Sequence, residues 1–407
     1  MNNTKDCSIL RELAKKYAEI AAKDIQDERR AFWRKHNSLE RIRPPVLIMG
    51  GYDAEIITPM LKCEDEFYRW SERFLRFMIL QDTLEDDTVI EPWITVNAVH
   101  VLPEDGLWGI PIEIKRADAG IAFQVIPGLT DYDDMYKLVT PKHQIDEKAT
   151  AENVERIYDA IGGILEININ RGSRWLNFDA DISTTLGGFR GHEQMMWDMY
   201  DHPDELHELL AFMRDGILKA QNEAEIAGDW SITDGHNQAM LYEKTLTDPK
   251  PNLSVNRNDM WGFFAAQEFA GVSPEFHDEF LFQYQLPIME KFGLIAYGCC
   301  EDLTKKIDLL KQIHNLRRIA VTPCADVDRC AEQIGSDYVC SYRPNPSLLQ
   351  GLFDMDLIRK TLTDAMNGFK RYNCIVDTTL KDISTVNGDI GRLKRFASLA
   401  KSIAEEY

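Results

Sequence analysis

Apolar positions recur at helical spacing through the first forty residues, where Leu10, Leu13, Tyr17 and Ile20 share one face. A short strand over 46–49 follows Pro44-Pro45, and Phe67, Trp70, Phe74 and Phe77 mark a further helix. Residues 94–130 alternate and carry Gly and Pro, which predicts extended segments and loops. From about residue 150 the pattern becomes regular. Helices are expected over 152–163, from 201 through 217, and over 303–316, 326–334, 348–369 and 390–404. Strands are expected at 230–233, 252–255, 294–297, 318–322, 338–342 and 374–378. Such alternation argues for a parallel sheet. About eight strands and no glycine-rich dinucleotide turn predict a closed (β/α)8 TIM barrel over residues 41–407, preceded by a helical extension over 1–40.

The 407 residues can bury a sizeable core. A net charge of −21, from 46 basic and 67 acidic side chains, works against nucleic acid and anionic membranes as partners. It leaves room for an anionic small molecule in a locally basic pocket. Every apolar run is broken by charge well before membrane-span length, and the N-terminus shows no apolar signal core. A cytoplasmic protein is expected. Of its eight cysteines, six follow residue 298. In a reducing compartment these are buried apolar residues, metal ligands or nucleophiles more often than disulfide partners.

The most informative run is Tyr297-Gly-Cys-Cys-Glu301. Ser273-Pro274 reads as a helix start, Gly293 as its stop, and Leu294-Ile295-Ala296 as a buried strand that ends on two thiols and a carboxylate. The C-terminal end of a parallel strand is where a barrel enzyme carries its chemistry. Other expected strand ends supply Arg343 and Asn345, the pair Lys381 and Asp382, and the pair Asp234 and His236. The run from Asp259 to Glu268 reads as an acidic, aromatic loop in which Trp261 could stack on a ligand and Gln267 and Glu268 hydrogen-bond to it.

Three segments resemble the uroporphyrinogen decarboxylase superfamily: Arg43-Pro-Pro-Val-Leu-Ile-Met49; Thr184-Thr-Leu-Gly-Gly-Phe-Arg190 with Met195-Met-Trp-Asp-Met-Tyr-Asp-His-Pro203; and Val272-Ser-Pro-Glu-Phe-His-Asp-Glu-Phe280 running on to Gly-Cys-Cys. The decarboxylases carry arginines after the first strand, whereas here the run is Met49-Gly-Gly-Tyr52, leaving Tyr52 as the candidate ligand contact. The resemblance is therefore closer to the zinc- and corrinoid-dependent methyltransferases. These hold zinc with a histidine, a cysteine two residues on, and a cysteine about 75 residues later. Cys299 stands on the first cysteine and Cys374 lies 75 residues beyond it, while Tyr297 takes the histidine position. Replacement ligands stand nearby in Cys300, Glu301 and the pair Cys324 and Asp326, and Cys299 and Cys374 with Cys324 or Asp326 form a chemically reasonable zinc set. The resemblance implies methyl transfer from the cobalt of a corrinoid, carried by a partner protein, to a zinc-activated thiol, with Glu268, Asp259 and Tyr297 as catalytic candidates. Alternatives are a decarboxylase-like lyase and a corrinoid- or tetrapyrrole-binding protein without turnover. A homodimer is compatible with the helical extension.

Overall fold

The structure, a computed structural model, describes residues 4–116, 123–232 and 239–407. Its strands are β1 (Val46–Ile48), β2 (Trp93–Asn97), β3 (Glu113–Arg116), β4 (Phe123–Ile126), β5 (Glu166–Asn170), β6 (Trp261–Phe264), β7 (Leu294–Tyr297), β8 (Leu316–Val321), β9 (Val339–Tyr342) and β10 (Ile375–Leu380). Six form one parallel sheet in the order β1-β10-β9-β8-β7-β6. β2 and β5 make a separate parallel pair, and β3 and β4 an antiparallel one.

The architecture is mixed α/β, with a parallel sheet that follows part of a barrel, and not the closed eight-strand barrel the sequence predicts. Side chains explain where the ladder stops. At the outer edge of β1, the N–H groups of Val46 and Ile48 donate to the carboxylates of Asp87 and Asp86, each at 2.8 Å. On β5, Ile169 N–H donates to the Asn252 side-chain oxygen at 3.0 Å, and the Asn252 amide returns a bond to the Ile167 carbonyl at 2.9 Å. Backbone groups that a neighbouring strand would satisfy are thus met by a carboxylate or an amide.

One expected strand and one expected loop are corrected. Residues 252–255 are no strand, because Asn252 offers its side chain to β5; only an antiparallel bridge, Ser231 to Ser254, remains there. The run over 261–264, expected as loop, is strand β6, buried on both faces. The helix expected over 303–316 shrinks to Ile307–Leu310, and the one expected over 348–369 begins only at Met355. Aspartates set several helix starts: Asp65, Asp146, Asp326 and Asp354 each accept a backbone N–H of the first turn.

The first two helices, α1 (Thr4–Ala21) and α2 (Ile25–Asn37), are built into this framework. Leu10, Ala14 and Tyr17 of α1 share a core with Leu75, Ile94 and Ile157. α2 delivers His36 and Asn37 to the strands, with His36 Nε2 3.0 Å from Asp377 Oδ2 and Asn37 Oδ1 accepting from Arg318 at 2.8 Å. No helix among the described residues is long and apolar enough to cross a membrane.

Candidate active site

Strand β7 is wholly buried and ends at Gly298, which has φ +99°. A Cβ there would meet Leu303 Cδ1 at 2.6 Å and Ala320 Cβ at 2.9 Å, so both the conformation and the space require glycine. The turn brings Cys299 to the sheet end. Glu301, buried, clamps it by accepting the N–H of Cys299 at 2.8 Å and the N–H of Ala266, just past β6, at 2.9 Å.

Lys381 follows the last residue of β10 and meets this turn from across the sheet. Its Nζ lies 3.0 Å from Cys299 Sγ, 3.6 Å from Cys300 Sγ and 2.9 Å from Asp382. Strands β8 and β9 lie between β7 and β10. At about 4.8 Å per strand a flat sheet would hold those ends roughly 14 Å apart, so sheet curvature and the length of the lysine together close the contact. The two sulfurs are 3.5 Å apart, and Cys300 Sγ lies 3.5 Å from Asp382 Oδ2. Cys299 is buried and Cys300 exposed.

The environment favours a thiolate on Cys299. The Cys300 S–H, then the charges of Lys381 and Arg343, outweigh burial and bring its pKa from 9.0 down to about 6. Cys300 moves the opposite way, keeping its proton beside that thiolate. Burial and Arg343 act against the Lys381 charge, yet Cys299 and Asp382 hold the lysine above its usual value. Arg343 is 1 % exposed, and burial lowers its pKa.

Deeper in the sheet interior lies a second charged group. Arg318 Nη2 donates to Asp377 Oδ2 at 2.6 Å and to Ser341 Oγ at 3.0 Å, and Ser341 donates to Asp377 Oδ1 at 3.0 Å. Against burial, Arg318 and His36 hold the Asp377 carboxyl well below the usual range.

Beside the end of β6, Glu268 accepts a hydrogen bond from Ser183 Oγ at 2.8 Å. It lines a cavity of about 770 Å³ together with Trp108, Ile110, Ile112, Thr184 and His192. Asp181, fully buried, has its pKa pushed well up by burial and by the charges of Glu268 and Glu301. The next residue, Ile182, has φ +64°, a strained setting for a β-branched side chain.

The structure separates several residues that the sequence groups. Cys374 precedes β10, where its Sγ donates to the Ala331 carbonyl at 3.4 Å, whereas Lys381 follows the same strand. Seven residues of extended chain span roughly 23 Å, so Cys299 and Cys374 lie at opposite ends of the sheet. Asp326 caps the helix Val327–Ile334, and Cys324 is exposed in the loop before it. The fold therefore does not bring Cys374 to Cys299, and the expected zinc set of these two with Cys324 or Asp326 loses its Cys374 ligand.

Asp259 sits before β6 in a capping turn with Asn256, at the opposite end of that strand from Glu268. Trp261 opens β6, buried, with its indole N–H on the Leu241 carbonyl at 2.9 Å. Tyr297 is buried, its hydroxyl 2.8 Å from Gln285 and 3.2 Å from His277, on the helix side of the sheet. Tyr52 bonds Gln81 at 2.9 Å and stacks on Phe77. Asn345 caps the turn Pro346–Leu349, and Gln267 is half-buried beside Glu268. Asp234 and His236 lie outside the described residues.

Cys299, Arg343 and Lys381 are brought together; Asp181 and the link from His36 to Asp377 have no sequence signal beyond residue type. No protein-family model and no curated protein matches the chain.

Proposed function

We propose that the chain is an enzyme whose nucleophile is the Cys299 thiolate, acting on a small anionic substrate at the C-terminal end of the parallel sheet. One observation carries this reading: Lys381 Nζ lies 3.0 Å from a thiol that ends a barrel-like strand. When Cys299 bonds to a substrate its negative charge disappears. Lys381 and Arg343 then face the adduct with uncompensated positive charge, and stabilise an anion that forms or departs there. A methyl transfer is one such reaction, with Cys299 itself taking the methyl group in place of the zinc-bound thiol of a small acceptor that the resemblance implies. In it the thiolate attacks a methyl group, the sulfur–carbon bond forms, and the electron pair of the cobalt–carbon bond stays on cobalt. Lys381 and Arg343 would then supply the thiol activation otherwise assigned to zinc.

The test is incubation with free methylcobalamin, followed by peptide mass spectrometry. The methyl-transfer form predicts a methyl group on the Cys299 peptide of the wild type and none in Cys299→Ser. An unmodified wild-type peptide would remove methyl transfer and leave thiolate chemistry to its own test. A second reading, carboxy-lyase chemistry, is favoured by Asp181. Burial and the Glu268 charge push its pKa well up, and it accepts from Thr184 of the Glu268 cavity, a setting suited to a general acid that protonates a carbanion. Carbon dioxide release unaffected by Cys299→Ser and lost in Asp181→Asn would select it.

A further inference from the structure

We propose that Cys299 and Cys300 are a reversible modification site, closing into a vicinal disulfide by exchange with small-molecule disulfides. Three observations point there. The sulfurs lie 3.5 Å apart, a lysine ammonium stands within 3.6 Å of both, and one sulfur is buried while the other faces solvent. An incoming disulfide therefore meets Cys300 first, and Cys299 is the thiol held behind it.

The exchange balances as follows. The pair carries one proton. As Cys300 attacks one sulfur of the disulfide R–S–S–R, its proton passes to the Cys299 thiolate 3.5 Å away, a mixed disulfide forms and R–S⁻ is released. The released thiolate takes the Cys299 proton and leaves as R–SH. Cys299, now a thiolate beside Lys381, attacks Cys300 Sγ and expels the second R–S⁻, which is protonated from solvent. Both cysteine sulfurs are oxidised and the small disulfide is reduced to two thiols.

The product is built to be reversible. Adjacent Cα atoms are about 3.8 Å apart, whereas disulfides usually span roughly 4.4–6.8 Å between Cα atoms. A bond closed across that short span is strained, and strained or exposed disulfides are the labile ones. Glu301, holding the Cys299 N–H, and Gly298, fixed by packing, limit how far the turn can relax. The inference rests on Cys299 being available as a thiolate. Oxidation would silence it, since a disulfide sulfur is no nucleophile.

The test uses the full chain carrying Cys324→Ser, which removes the other exposed thiol. The protein is treated with oxidised glutathione, alkylated and digested. The expected 299–300 peptide is lighter by two hydrogen atoms, takes up no iodoacetamide, and recovers both thiols with dithiothreitol. In Cys299→Ser, glutathione is expected to stay on Cys300. Glutathione retained on Cys300 in the wild type, or two thiols that remain open to alkylation, would overturn the proposal. Should Cys299→Ser fail to fold, phenylarsine oxide on the wild type gives the same answer: it is expected to bridge both sulfurs and block oxidation, and failure to protect them counts against the pair. The masses are read without turnover, so a negative result leaves the catalytic reading to be judged separately.

Discussion

Two ion pairs lie in the sheet interior and differ in how they are closed. Arg318 and Asp377 are both fully buried, and Asn37, Ser341 and His36 hydrogen-bond to them, leaving Arg318 Nε without a partner among the described residues. Lys381 and Cys299 are also buried, but their remaining neighbours include the exposed thiol of Cys300 and the half-exposed carboxylate of Asp382. A charge pair sealed by fixed side chains makes a knot that holds elements together. A thiolate held by one lysine, with solvent one sulfur away, can be discharged by a reaction. The first joins α2 to β8, β9 and β10; the second is where we propose the chemistry.

The comparison can be broken most forcefully at the knot. Asp377→Ala leaves Arg318 buried without its counter-charge and is expected to cost about 3–5 kcal/mol of stability. A chemical denaturation midpoint close to wild type would show that the pair is not structural. At the thiolate, Lys381→Met is expected to leave the fold nearly as stable while slowing iodoacetamide alkylation of Cys299 at pH 7 about tenfold. Equal losses of stability in the two variants would erase the distinction.

Acid should strike the knot too. Burial lowers the His36 pKa below 6.5, and Asp377 is held below 3.8. As pH falls through those ordinary values the unfolded chain takes up protons that the folded protein refuses. Stability present above about pH 6.5 is therefore lost on acidification, and Asp377 adds a further loss below about 3.8. His36→Gln should flatten the upper part of that slope; an unchanged slope would assign it to other groups. The smallest effect is expected for Cys374→Ser: a modest loss of stability, and Cys299 alkylation equal to wild type. A changed alkylation rate would mean that the two cysteines communicate after all.

Cys299 was legible because an apolar run closed by glycine marks a strand end, and two thiols follow it directly. Lys381 was legible as a strand-end residue, though its contact with Cys299 was not, since the curvature that joins β10 to β7 has no local signature. Cys374 misled for a physical reason. A spacing of 75 residues counts chain length, and Cys374 sits before its strand where the comparison needs a residue after it. Trp261 to Phe264 passed for a loop because the acidic residues flanking a four-residue strand outweigh so short an apolar run. Asn252 passed for a strand residue, although the extended chain there satisfies β5 through a side chain. The parallel α/β class followed from strand–helix alternation, but the open edges depended on Asp86, Asp87 and Asn252, which no periodicity reveals.

The central claim is that Cys299 is a thiolate near neutral pH because Lys381 and its neighbours hold it so. The direct test is the rate of Cys299 alkylation by iodoacetamide between pH 5 and 10, assigned to Cys299 by fragmentation of the 299–300 peptide, in the wild type and in Lys381→Met. The account predicts a midpoint below the ordinary thiol value of 9.0 in the first protein and a rise toward it in the second. Midpoints at the ordinary value in both would contradict it, leaving Cys299 as a buried thiol beside a lysine.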